Sequence, residues 1–581
     1  MRIPSVFLLL LGALNITHGA QYDRCRCLPE DSCWPTSDEW SRLNTSLSSN
    51  LLTSKPLAQA CHYPQYNQQE CAVAHQNWQN GLWRTKQPYG LFQTTWEVLD
   101  NETWGCQLDS PWWSACSLGN LPVYIVNASN TKDIQKAVRF AGRHNLRLSI
   151  KNTGHDYLGR STAAGSLNIW VHNLKHIELV DDFVPVNSSL NGTRAVTVQA
   201  GVQMAELYEA ANTKNWVVVG GACNTVGVGG YIGAGGHSPL SSNYGLAVDN
   251  ALQFTVVLAN GEVVVANDAQ HTDLFWALRG GGASTWGVVV DVTFRAHLAP
   301  SVLSYAQFNA VATNSTAFRM MLQKFVEVQP AISKAGFSGY WYNTDNRIKF
   351  LYTNLNTNRT EASKILQPFV SYIKSIGAIY QLNITEYNSW HQWYLDFDCS
   401  GGEGGSAGGG SKYLSSRLIP LENFLRPSEL ADALINVYNE IRYTGLTIGH
   451  LVAGGEVSRK VPESVAANPA WRKALWHVVI LVAYEDQATP AEREQKHHLT
   501  TDTNSIFRDI TPGSGCYMNE ADIHEPNWKE AFFGSHYERL SHIKRDVDPH
   551  HLFICRNCVG SDEWDESLNC RRQLKIRKEK L

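Results

Sequence analysis

The sequence predicts an α+β fold in two domains, and three observations support this prediction. A β-branched segment, Val123 to Val126, precedes a helical spacing from Thr131 to Asn145 and a second apolar segment, Leu146 to Ile150, which is the pattern of a β-α-β unit. Strand-like segments then return up to Phe294, with short helices between them. Beyond residue 300, strands alternate with amphipathic helices, which predicts a second domain whose sheet is covered by helices.

Each element follows from the same periodicities. Asn130 or Thr131 can cap the first helix, because either side chain can accept a hydrogen bond from the first helical turn. The first domain is further predicted to contain the strands Ala195 to Val198, Trp216 to Val219, Phe254 to Leu258, Val263 to Val265 and Gly287 to Phe294. The second domain is predicted to contain the strands Ile348 to Tyr352 and His477 to Ala483 and the helices Ala317 to Val328 and Pro427 to Tyr443.

The chain divides into six segments by composition, and no fixed-period repeat indicates a solenoid or propeller. The predicted segments are a signal peptide (1–20), an irregular Cys-rich extension (21–117), a first domain (118–300), a second domain (301–510), a C-terminal segment (511–570) and a basic tail (571–581). Gly401 to Gly410 is predicted to be a flexible loop, with a lid as the alternative. The basic tail is predicted to be a solvated, disordered end.

Composition and charge exclude several classes of partner. Charged residues make up 18% of the 581 residues and the net charge is -4, so the chain has no basic field that would hold nucleic acid or anionic lipid. No later segment approaches 18 consecutive apolar residues, which argues against a membrane anchor. A small neutral molecule is therefore the predicted partner.

The N-terminus predicts export from the cell. Met1-Arg2 precedes an apolar run from Val6 to Leu14 and the small residues Gly19-Ala20, a pattern typical of a secretory signal peptide; a buried helix is the alternative. Attached N-glycans would require surface positions. N-x-[ST] acceptor sites occur at Asn44, Asn101, Asn127, Asn187, Asn191, Asn314, Asn358 and Asn383.

Thirteen cysteines agree with an oxidising compartment, where pairs become disulfides. Most lie in two terminal clusters, while Cys223 and Cys399 stand apart. Short spacings such as Cys25-x-Cys27 and Cys555-x-x-Cys558 could indicate zinc, but no second pair with metal-finger spacing follows. Disulfides are therefore predicted and no metal site is expected.

Candidate chemistry begins in the loop from Lys151 to Ser161, directly after a predicted strand. Gly154 and Gly159 let the backbone approach a ligand, and successive N–H groups can form an anion-binding nest suited to pyrophosphate. His155 lies in the middle of this loop, where a structural histidine would be the ordinary interpretation.

Two further glycine-rich elements follow. Gly220 to Gly236 holds eight glycines in seventeen residues, with Cys223 inside it and His237 next, and such density favours a backbone that lies against a planar or phosphate group. It has neither the P-loop pattern nor a G-x-G-x-x-G that opens a helix; a merely flexible loop is the alternative. Arg279 to Val290 is a glycine turn that feeds a strand and could offer backbone groups to a heterocycle.

In order and spacing, these three elements resemble the FAD-linked oxidoreductases of the vanillyl-alcohol oxidase superfamily, in the berberine-bridge-enzyme-like branch. Within that branch the chain is similar to secreted fungal proteins of the isoamyl alcohol oxidase type. The resemblance covers nearly the whole mature chain. It implies that residues 118–300 are a PCMH-type FAD-binding domain, that 301–510 are a substrate domain, and that 511–570 are a berberine-bridge-like segment completing the FAD domain.

The resemblance also implies covalent flavin. The histidine of the family's G-H-x-Y-x-G loop is bonded to the flavin 8α-methyl group and matches His155; in many members the cysteine of C-x-T-V-G-x-G-G is bonded to flavin C6 and matches Cys223. With Cys223 bonded to flavin, twelve cysteines would remain for six disulfides. The other residues implied to bind the cofactor are Asn152, Thr153, Gly154, Asp156, Tyr157, Gly159, Ser161, Thr225, Val226, Gly227, Gly229, Gly230, Gly233, His237, Tyr244, Gly245, Leu246, Asp249, Gly287, Val289 and Asn519.

Further matches implied by the resemblance concern the ends of the flavin site. Tyr244 to Asn250 resembles the Y-G-L-A-x-D-N stretch that lines it, and Trp276 to Ala283 resembles its glycine turn. Tyr517 to Asp522 resembles the Y-x-N-x-x-D signature, and Asp548 to Phe553 resembles the D-P-x-x-L-F stretch that ends the domain.

The implied reaction moves hydride from a substrate alcohol to flavin N5 while a base takes the hydroxyl proton. Valine three residues after the flavin-linked cysteine, here Val226, goes with oxidase behaviour in related proteins, which implies O2 as acceptor and hydrogen peroxide as product. Glu520 stands where many plant members have tyrosine and is the predicted base; Tyr517 or a tyrosine of the substrate domain is the alternative.

The substrate is left open at this stage. A small or secondary-metabolite alcohol is the first interpretation, and oxidative ring closure and carbohydrate oxidation are alternatives. Trp390, Trp393 and Tyr394 could stack on sugar rings, although core packing would account for them equally well. A secreted binding protein without catalysis is the alternative from another class, and a monomer is expected.

Overall fold

The structure is a computed structural model that describes residues 25–102, 105–397 and 409–572. The predicted signal peptide, Cys399, residues 401–408 of the glycine-rich segment and residues 573–581 of the tail lie outside those ranges. Arg571 lies inside them. Its guanidinium lies 5.4 Å from the centre of the Trp564 ring, and the Arg26 guanidinium lies 4.6 Å from the centre of the same ring. The chain is therefore ordered at the position where the disordered tail was predicted to begin.

The N-terminal extension is more regular than predicted. A helix covers Ser37–Ser46 because Thr36 and Glu39 form a capping box, each side chain bonding the other's backbone N–H. That T-x-x-E signal was present in the sequence. The remaining elements of the extension are the helices Gln68–Asn77 and Gly81–Thr85, the 3-10 helices Gln59–Cys61 and Thr94–Glu97, and the strand Leu51–Thr53.

The first sheet contains the predicted β-α-β unit with two strands added. Its order is Leu51–Thr53, Tyr124–Asn127, Leu167–Trp170 and Leu148–Lys151, and the last three strands are parallel. The strand Leu167–Trp170, which was not predicted, lies between the two strands that were. The helix Thr131–Arg143 connects them, and Asn130 caps it by accepting from the Asp133 N–H at 3.1 Å.

A second, antiparallel sheet of five strands completes the first half of the chain. The order is Ile177–Phe183, Thr193–Gln199, Val288–Arg295, Ala251–Val257 and Val263–Asn267. Trp216–Val217 pairs instead with His297–Leu298 in a separate two-stranded ribbon. The connecting helices are Met204–Asn212, Val228–Ile232, Ser241–Tyr244 and Thr272–Leu278, with a 3-10 helix at Ala247–Asp249.

The third sheet has seven antiparallel strands. Their order is Ile379–Tyr387, Leu303–Val311, Arg347–Leu355, Phe337–Thr344, Gly445–Leu451, Ala474–Tyr484 and Ser411–Pro420. Since side chains alternate between the two faces of a strand, Trp341 and Trp476 enter the core under the helices, while Tyr340 and His477 point to the opposite side. An antiparallel sheet covered by helices confirms the predicted fold class of the second half.

Helices cover one face of this sheet and bury its large aromatic side chains. Phe325 from the first of them packs against both Trp341 and Trp476. The helices on this face are Ser315–Lys334, Arg359–Ser375, Pro427–Ile441, Pro490–Thr503 and Ser505–Ile510, with a 3-10 turn at Leu421–Leu425. The helices Trp390–Asp396 and Gly455–Arg459 and the 3-10 turns Pro462–Ser464 and Pro469–Arg472 belong to the core shared with the first half of the chain. The opposite face is left open toward the first half of the chain.

The C-terminal segment returns to the first half of the chain. Lys544 is buried and donates to the carbonyls of Thr285 and Phe553 at 2.6 and 2.7 Å, and it pairs with Asp548 at 2.7 Å. These contacts support the prediction that residues 511–570 complete the flavin domain, although the domain boundaries themselves stay predictions. The elements of this segment are the helices Trp528–Phe533 and Tyr537–Val547 and the 3-10 helices Met518–Glu520, Gly534–His536 and Ser561–Glu563.

Five disulfides tie the described chain, and one of them joins its two ends. The pairs are Cys25–Cys570, Cys27–Cys33, Cys61–Cys71, Cys106–Cys116 and Cys555–Cys558. Of the twelve cysteines other than Cys223, ten form these pairs and Cys516 is a buried thiol among the described residues. A sixth pair would need Cys399, which lies outside the described ranges, so the sixth disulfide stays a prediction. Cys516 packs in the core near Arg417 and Glu525, and burial raises the pKa of its thiol. Several disulfides indicate an extracellular or secretory protein.

Helices in the described ranges were also compared with the thickness of a bilayer. Not one of the described helices combines the length and the apolar character that spanning a membrane requires.

Candidate active site

A cavity of about 730 Å³ lies between the glycine-rich loops of the first half and the open face of the third sheet. Its wall brings together most of the residues predicted from sequence, although they come from four separate parts of the chain. The predicted residues in the wall are Asn152, Thr153, Gly154, His155, Asp156, Tyr157, Ser161, Cys223, Val226, Gly227, Gly229, Gly230, Gly233, His237, Gly287, Val289, Tyr517, Asn519 and Glu520.

His155 is fixed by a ring stack and a hydrogen bond. It follows the strand Leu148–Lys151, and its imidazole stacks on Phe92 with ring centroids 3.6 Å apart. Its Nε2 lies 2.7 Å from the Thr225 Oγ1. Burial, with a smaller contribution from the Lys412 ammonium, lowers the pKa of His155 to about 3. The imidazole is therefore neutral near neutral pH and retains a lone pair for bond formation.

Cys223 contacts the same Thr225 hydroxyl. Its Sγ is 3.7 Å from the Thr225 Oγ1, so Thr225 contacts both residues of the predicted flavin linkage. Thr225 is fully buried. The charge of Lys412 interacts with Cys223 as well as with His155, so the same side chain lies near both residues. The cavity wall thus carries two nucleophiles side by side.

The glycines at this wall are required by close approach of the backbone. Gly154 has φ +78°, and a Cβ there would lie 2.8 Å from the Leu91 Cα and 2.9 Å from the Phe92 N. At Gly227 a Cβ would lie 2.0 Å from the Asn152 amide nitrogen. A side chain at Gly154 would collide with the backbone of Leu91 and Phe92, and a side chain at Gly227 would collide with Asn152. Both glycines therefore let the backbone pack closely enough to hold a planar ring.

Arg160 links the His155 loop to the C-terminal segment. Arg160 donates its Nε to the Asp156 carboxylate at 2.8 Å and a second N–H to the Asn519 Oδ1 at 2.8 Å. Asn519 in turn donates its amide N–H to the Tyr517 hydroxyl at 3.0 Å. The Y-x-N signature therefore holds the C-terminal segment against the predicted flavin loop.

Four side chains meet at the far end of the cavity. The His237 Nε2 lies 3.3 Å from both carboxylate oxygens of Glu520. The Nδ1 atoms of His450 and His477 lie 3.8 and 3.5 Å from the Glu520 Oε2 and 2.7 Å from each other. Tyr517 packs edge-on against the rings of His237 and His477. We call His237, His450, His477 and Glu520 the histidine–glutamate cluster.

The electrostatics of this cluster keep the carboxyl ionised. Burial by itself would raise the pKa of Glu520, but His237, followed by His450 and His477, outweighs it and holds the pKa below its ordinary value. Burial lowers the pKa of His450 to about 3 and that of His477 well below its ordinary value, and Glu520 opposes both shifts. Burial raises the pKa of the Tyr517 hydroxyl, which stays protonated.

Part of the cavity wall was not found from sequence. The open face of the third sheet supplies side chains to the wall. The sequence predicted strands in this region but did not predict that their side chains line a cavity. No local motif marks them, because residues on neighbouring strands face one cavity only after the sheet has formed. They are Tyr305, Gln307, Tyr340, Tyr342, Lys349, Leu351, Leu414, Ile448, His450, Val479 and Leu481, and Phe92, Asp396 and Phe397 join them.

Comparison with known families and proteins decides the identity of this fold. Residues 122–267 match the FAD binding domain family, and residues 516–559 match the berberine and berberine-like family. A relative from Arthroderma benhamiae, described as an uncharacterized FAD-linked oxidoreductase, is 37% identical over 593 residues, which cover 98% of this chain and 100% of the relative. The chain belongs to the FAD-linked oxidoreductases of the vanillyl-alcohol oxidase and berberine-bridge enzyme family.

Solved structures of this oxidoreductase family share the whole architecture. The VAO-type flavoprotein MtVAO615 from Myceliophthora thermophila C1, crystallised at pH 5.0, matches with a TM-score of 0.86 at 30% identity over 94% of this chain and 100% of that chain. A glucooligosaccharide oxidase from Acremonium strictum, whose FAD is described as 6-S-cysteinyl and 8α-N1-histidyl, matches with a TM-score of 0.63 at 21% identity over 76% and 92%. The second likeness shows the shared fold alone. The predicted family and the two-domain fold are confirmed.

The Tyr244 to Asn250 stretch of this oxidoreductase needs a correction, because Tyr244, Gly245, Leu246 and Asp249 do not line the cavity. The stretch instead supports the second glycine loop from behind: the N–H groups of residues 247 and 248 donate to the carbonyls of residues 236 and 235 at 2.8 and 3.0 Å. Gly159 also lies outside the main cavity and lines a smaller one next to it.

Asp249 has a structural partner that accounts for its position. It forms a two-point ion pair with Arg472 at 2.7 and 2.9 Å, and both side chains are at most 5% exposed.

Asp249→Ala is expected to destabilise the oxidoreductase by about 3–5 kcal/mol, because a buried guanidinium loses its counter-charge. Thermal unfolding measures this, with the exposed Asp273–Arg539 pair as control. Asp273→Ala should cost at most about 1 kcal/mol, and equal effects of the two substitutions would contradict the prediction.

Asp522, the last residue of the Y-x-N-x-x-D signature, is expected to make stability depend on pH. Burial outweighs its hydrogen bonds from Thr501 and the His524 N–H and raises its pKa to about 6. Because the folded-state pKa exceeds the unfolded value of about 3.9, the folded state binds the proton more tightly. This contribution is complete below about pH 4 and is lost as the pH rises through about 6.

The matching experiment uses Asp522→Asn, which has the same shape and stays neutral. Relative to the wild type, this variant should lose the decline in stability between about pH 4 and 6. At pH 7 it should be more stable by on the order of 2–3 kcal/mol. Melting temperatures of both proteins across this pH range provide the test. Parallel curves would show that Asp522 does not titrate in this window.

Proposed function

We propose that this oxidoreductase is a secreted oxidase of an alcohol group and that it holds FAD covalently through His155 and Cys223. The observation that supports this most strongly is the position of the two nucleophiles. Both contact the Thr225 hydroxyl in the wall of one cavity, although they come from different loops. The Acremonium strictum oxidase, described as carrying both a histidyl and a cysteinyl bond to FAD, has the same fold.

The residues present fit such a cofactor. Glycine-lined loops border the cavity, and the Gly230 Cα faces a space in which a Cβ would meet no atom within 4 Å. Bound FAD would accept a hydride from the substrate and pass two electrons to O2, so that an alcohol and O2 give a carbonyl compound and hydrogen peroxide. Val226, which lies in the cavity wall three residues after Cys223, supports O2 as the acceptor.

Glu520 is the residue that we assign to remove the hydroxyl proton. It lies in the cavity wall, it is ionised, and His237 holds both of its oxygens at 3.3 Å. The alternative, Tyr517, is a worse acceptor because its raised pKa keeps the hydroxyl protonated and its oxygen accepts from Asn519. The geometry therefore favours the carboxylate.

The wall of the cavity offers aromatic rings on which a ring-bearing alcohol can stack. Tyr305, Tyr340, Tyr342 and Phe397 line the substrate side. The aromatics considered for sugar stacking are elsewhere: Trp390, Trp393 and Tyr394 are buried, do not line the cavity, and pack in the core. An alcohol of a secondary metabolite, whose rings can stack on such a wall, is the substrate class that we propose.

Secretion and glycosylation are part of the same proposal. The acceptor asparagines lie at the surface, except for half-buried Asn127. Asn314 and Asn358 cap helices through Oδ1 and leave their amide nitrogens available for a glycan. Five disulfides and the sequence of a signal peptide agree with an oxidising compartment. A covalent bond would also prevent loss of FAD outside the cell.

A direct experiment tests the proposal. The purified protein should be yellow and should keep its colour after acid precipitation, because covalent flavin survives unfolding. A panel of aromatic, polyketide and simple alcohols and sugars is then screened for peroxide release. Colourless protein would contradict the proposed cofactor and support a binding protein, and activity on sugars alone would contradict the proposed substrate class.

A further inference from the structure

The histidine–glutamate cluster has a geometry that proton transfer alone does not require. Its four residues come from four separate places: the end of the second glycine loop (His237), two strands of the third sheet (His450 and His477) and the C-terminal segment (Glu520). One side-chain atom from each converges, and these four atoms all lie within 4.8 Å of one another. Three imidazoles and one carboxylate therefore share a single centre.

Register in the third sheet explains how two of these residues meet. His450 and His477 are directly opposite each other on the antiparallel strands Gly445–Leu451 and Ala474–Tyr484. Opposed side chains on one face of a sheet are close neighbours. Both rings present Nδ1 to the centre, with 2.7 Å between these atoms. The rigid sheet thus holds two nitrogen donors in place before any ligand arrives.

The distances agree with those of a metal coordination shell. Ligand atoms about 2.0–2.2 Å from a common ion are roughly 2.9 Å apart at right angles and roughly 3.4 Å apart in a tetrahedron. In the cluster the separations are 2.7 Å between the two Nδ1 atoms, 3.3 Å between His237 and Glu520, and 3.5 Å between His477 and Glu520. The other separations reach 3.8 Å between His450 and Glu520 and at most 4.8 Å within the cluster, so the side chains would draw together around a bound ion.

The negative charge of the Glu520 carboxylate also favours binding of a cation. Glu520 lies 3.3 to 3.8 Å from these three histidines, and His237, His450 and His477 are each less than 10% exposed. A carboxylate in such a largely buried setting gains from a compensating positive charge, and imidazole with carboxylate is a donor set that zinc, manganese and iron bind well. The site borders the cavity, so a coordination position can face a substrate.

We propose that His237, His450, His477 and Glu520 bind one divalent transition-metal ion at the substrate end of the cavity. The ion would bind a substrate hydroxyl and lower its pKa, so that the hydroxyl passes its proton to Glu520 at a lower pH than the free alcohol would. Glu520 would then ligate the ion through one carboxylate oxygen and accept the proton on the other, which keeps the role assigned to it above. The metal site does not rest on the proposed substrate, and it can be tested without one.

The test measures bound metal in the flavin-containing protein. After dialysis against a chelator, separate samples are incubated with Zn²⁺, Mn²⁺ or Co²⁺, desalted and analysed for metal, and flavin absorbance is recorded in parallel. The wild type should retain about one ion per chain for at least one of these metals. His450→Gln and Glu520→Gln should lower metal affinity by at least about 100-fold.

A matched control separates the cluster from general histidine binding. His498 is exposed on the helix Pro490–Thr503, outside the cluster, and His498→Gln should retain metal like the wild type. Flavin absorbance shows that each variant is folded. Wild-type protein that retains less than about a tenth of an ion per chain, or cluster variants that retain as much as the wild type, would overturn the proposal and leave a hydrogen-bonded histidine pair. Missing flavin, by contrast, bears only on the proposed cofactor.

Discussion

Replacing both His155 and Cys223 with alanine is expected to leave no FAD attached to the denatured protein, because the two nucleophiles in contact with Thr225 are then removed. Each single variant should keep one bond. His155→Ala should hold flavin at most through Cys223, with a lower reduction potential, because an electron-withdrawing substituent at the 8α position is lost. Mass spectrometry of flavin peptides from a denatured tryptic digest measures all three variants.

The control for this experiment is the other thiol of the described chain. Cys516 is buried in the core and does not line the cavity, so Cys516→Ala should retain FAD on both peptides. A wild-type digest in which no peptide carries the mass of FAD would contradict covalent attachment. A digest in which Cys223 occurs in a disulfide would contradict the second bond and leave the histidyl bond as the only link.

Glu520→Gln is expected to slow flavin reduction by about 100- to 10,000-fold, the usual contribution of a proton acceptor in the transition state. The amide keeps the shape of the side chain and removes the negative charge that faces His237 at 3.3 Å. Reduction is followed in a stopped-flow instrument with an alcohol identified in the peroxide screen. Reoxidation of dithionite-reduced enzyme by O2 needs no substrate base, so its rate should not change.

Tyr517→Phe separates the two candidate bases. Its hydroxyl accepts from Asn519 and stays protonated, so the variant should lose positioning and slow reduction far less than Glu520→Gln does. A variant Tyr517→Phe that reduces slowly, beside a Glu520→Gln variant that reduces at the wild-type rate, would assign the base to Tyr517. Normal reduction with slow reoxidation in Glu520→Gln would show that the carboxylate serves the oxygen step instead.

Local sequence signals marked the glycine-rich loops that line one side of the cavity. The loops around His155 and Cys223 are marked by glycines that a close backbone approach requires, so their density is visible without any structure. The same reasoning failed at Tyr244 to Asn250, where a recognisable stretch turned out to support the loop from behind. A motif shows that residues belong together, but it does not show which face they present to the ligand.

The fold was predictable where the period of the hydrophobic pattern was strong, as in the helix Thr131–Arg143 and the strands of the third sheet. It was less predictable where the signal was short. The strand Leu167–Trp170 is only four residues long, and its place between two predicted strands depends on pairing with partners distant in the chain. Strand order is a property of such pairings, which no local pattern encodes.

The sequence by itself determined the family, the glycine-lined loops and the two residues predicted to bond the flavin, because these depend on residue type and on spacing along the chain. Only the tertiary structure decided that His450 and His477 face each other and meet His237 and Glu520 at one point. Their convergence is set by strand register and by the return of the C-terminal segment. Contacts of that kind join residues distant in the chain, and only the folded chain brings them together.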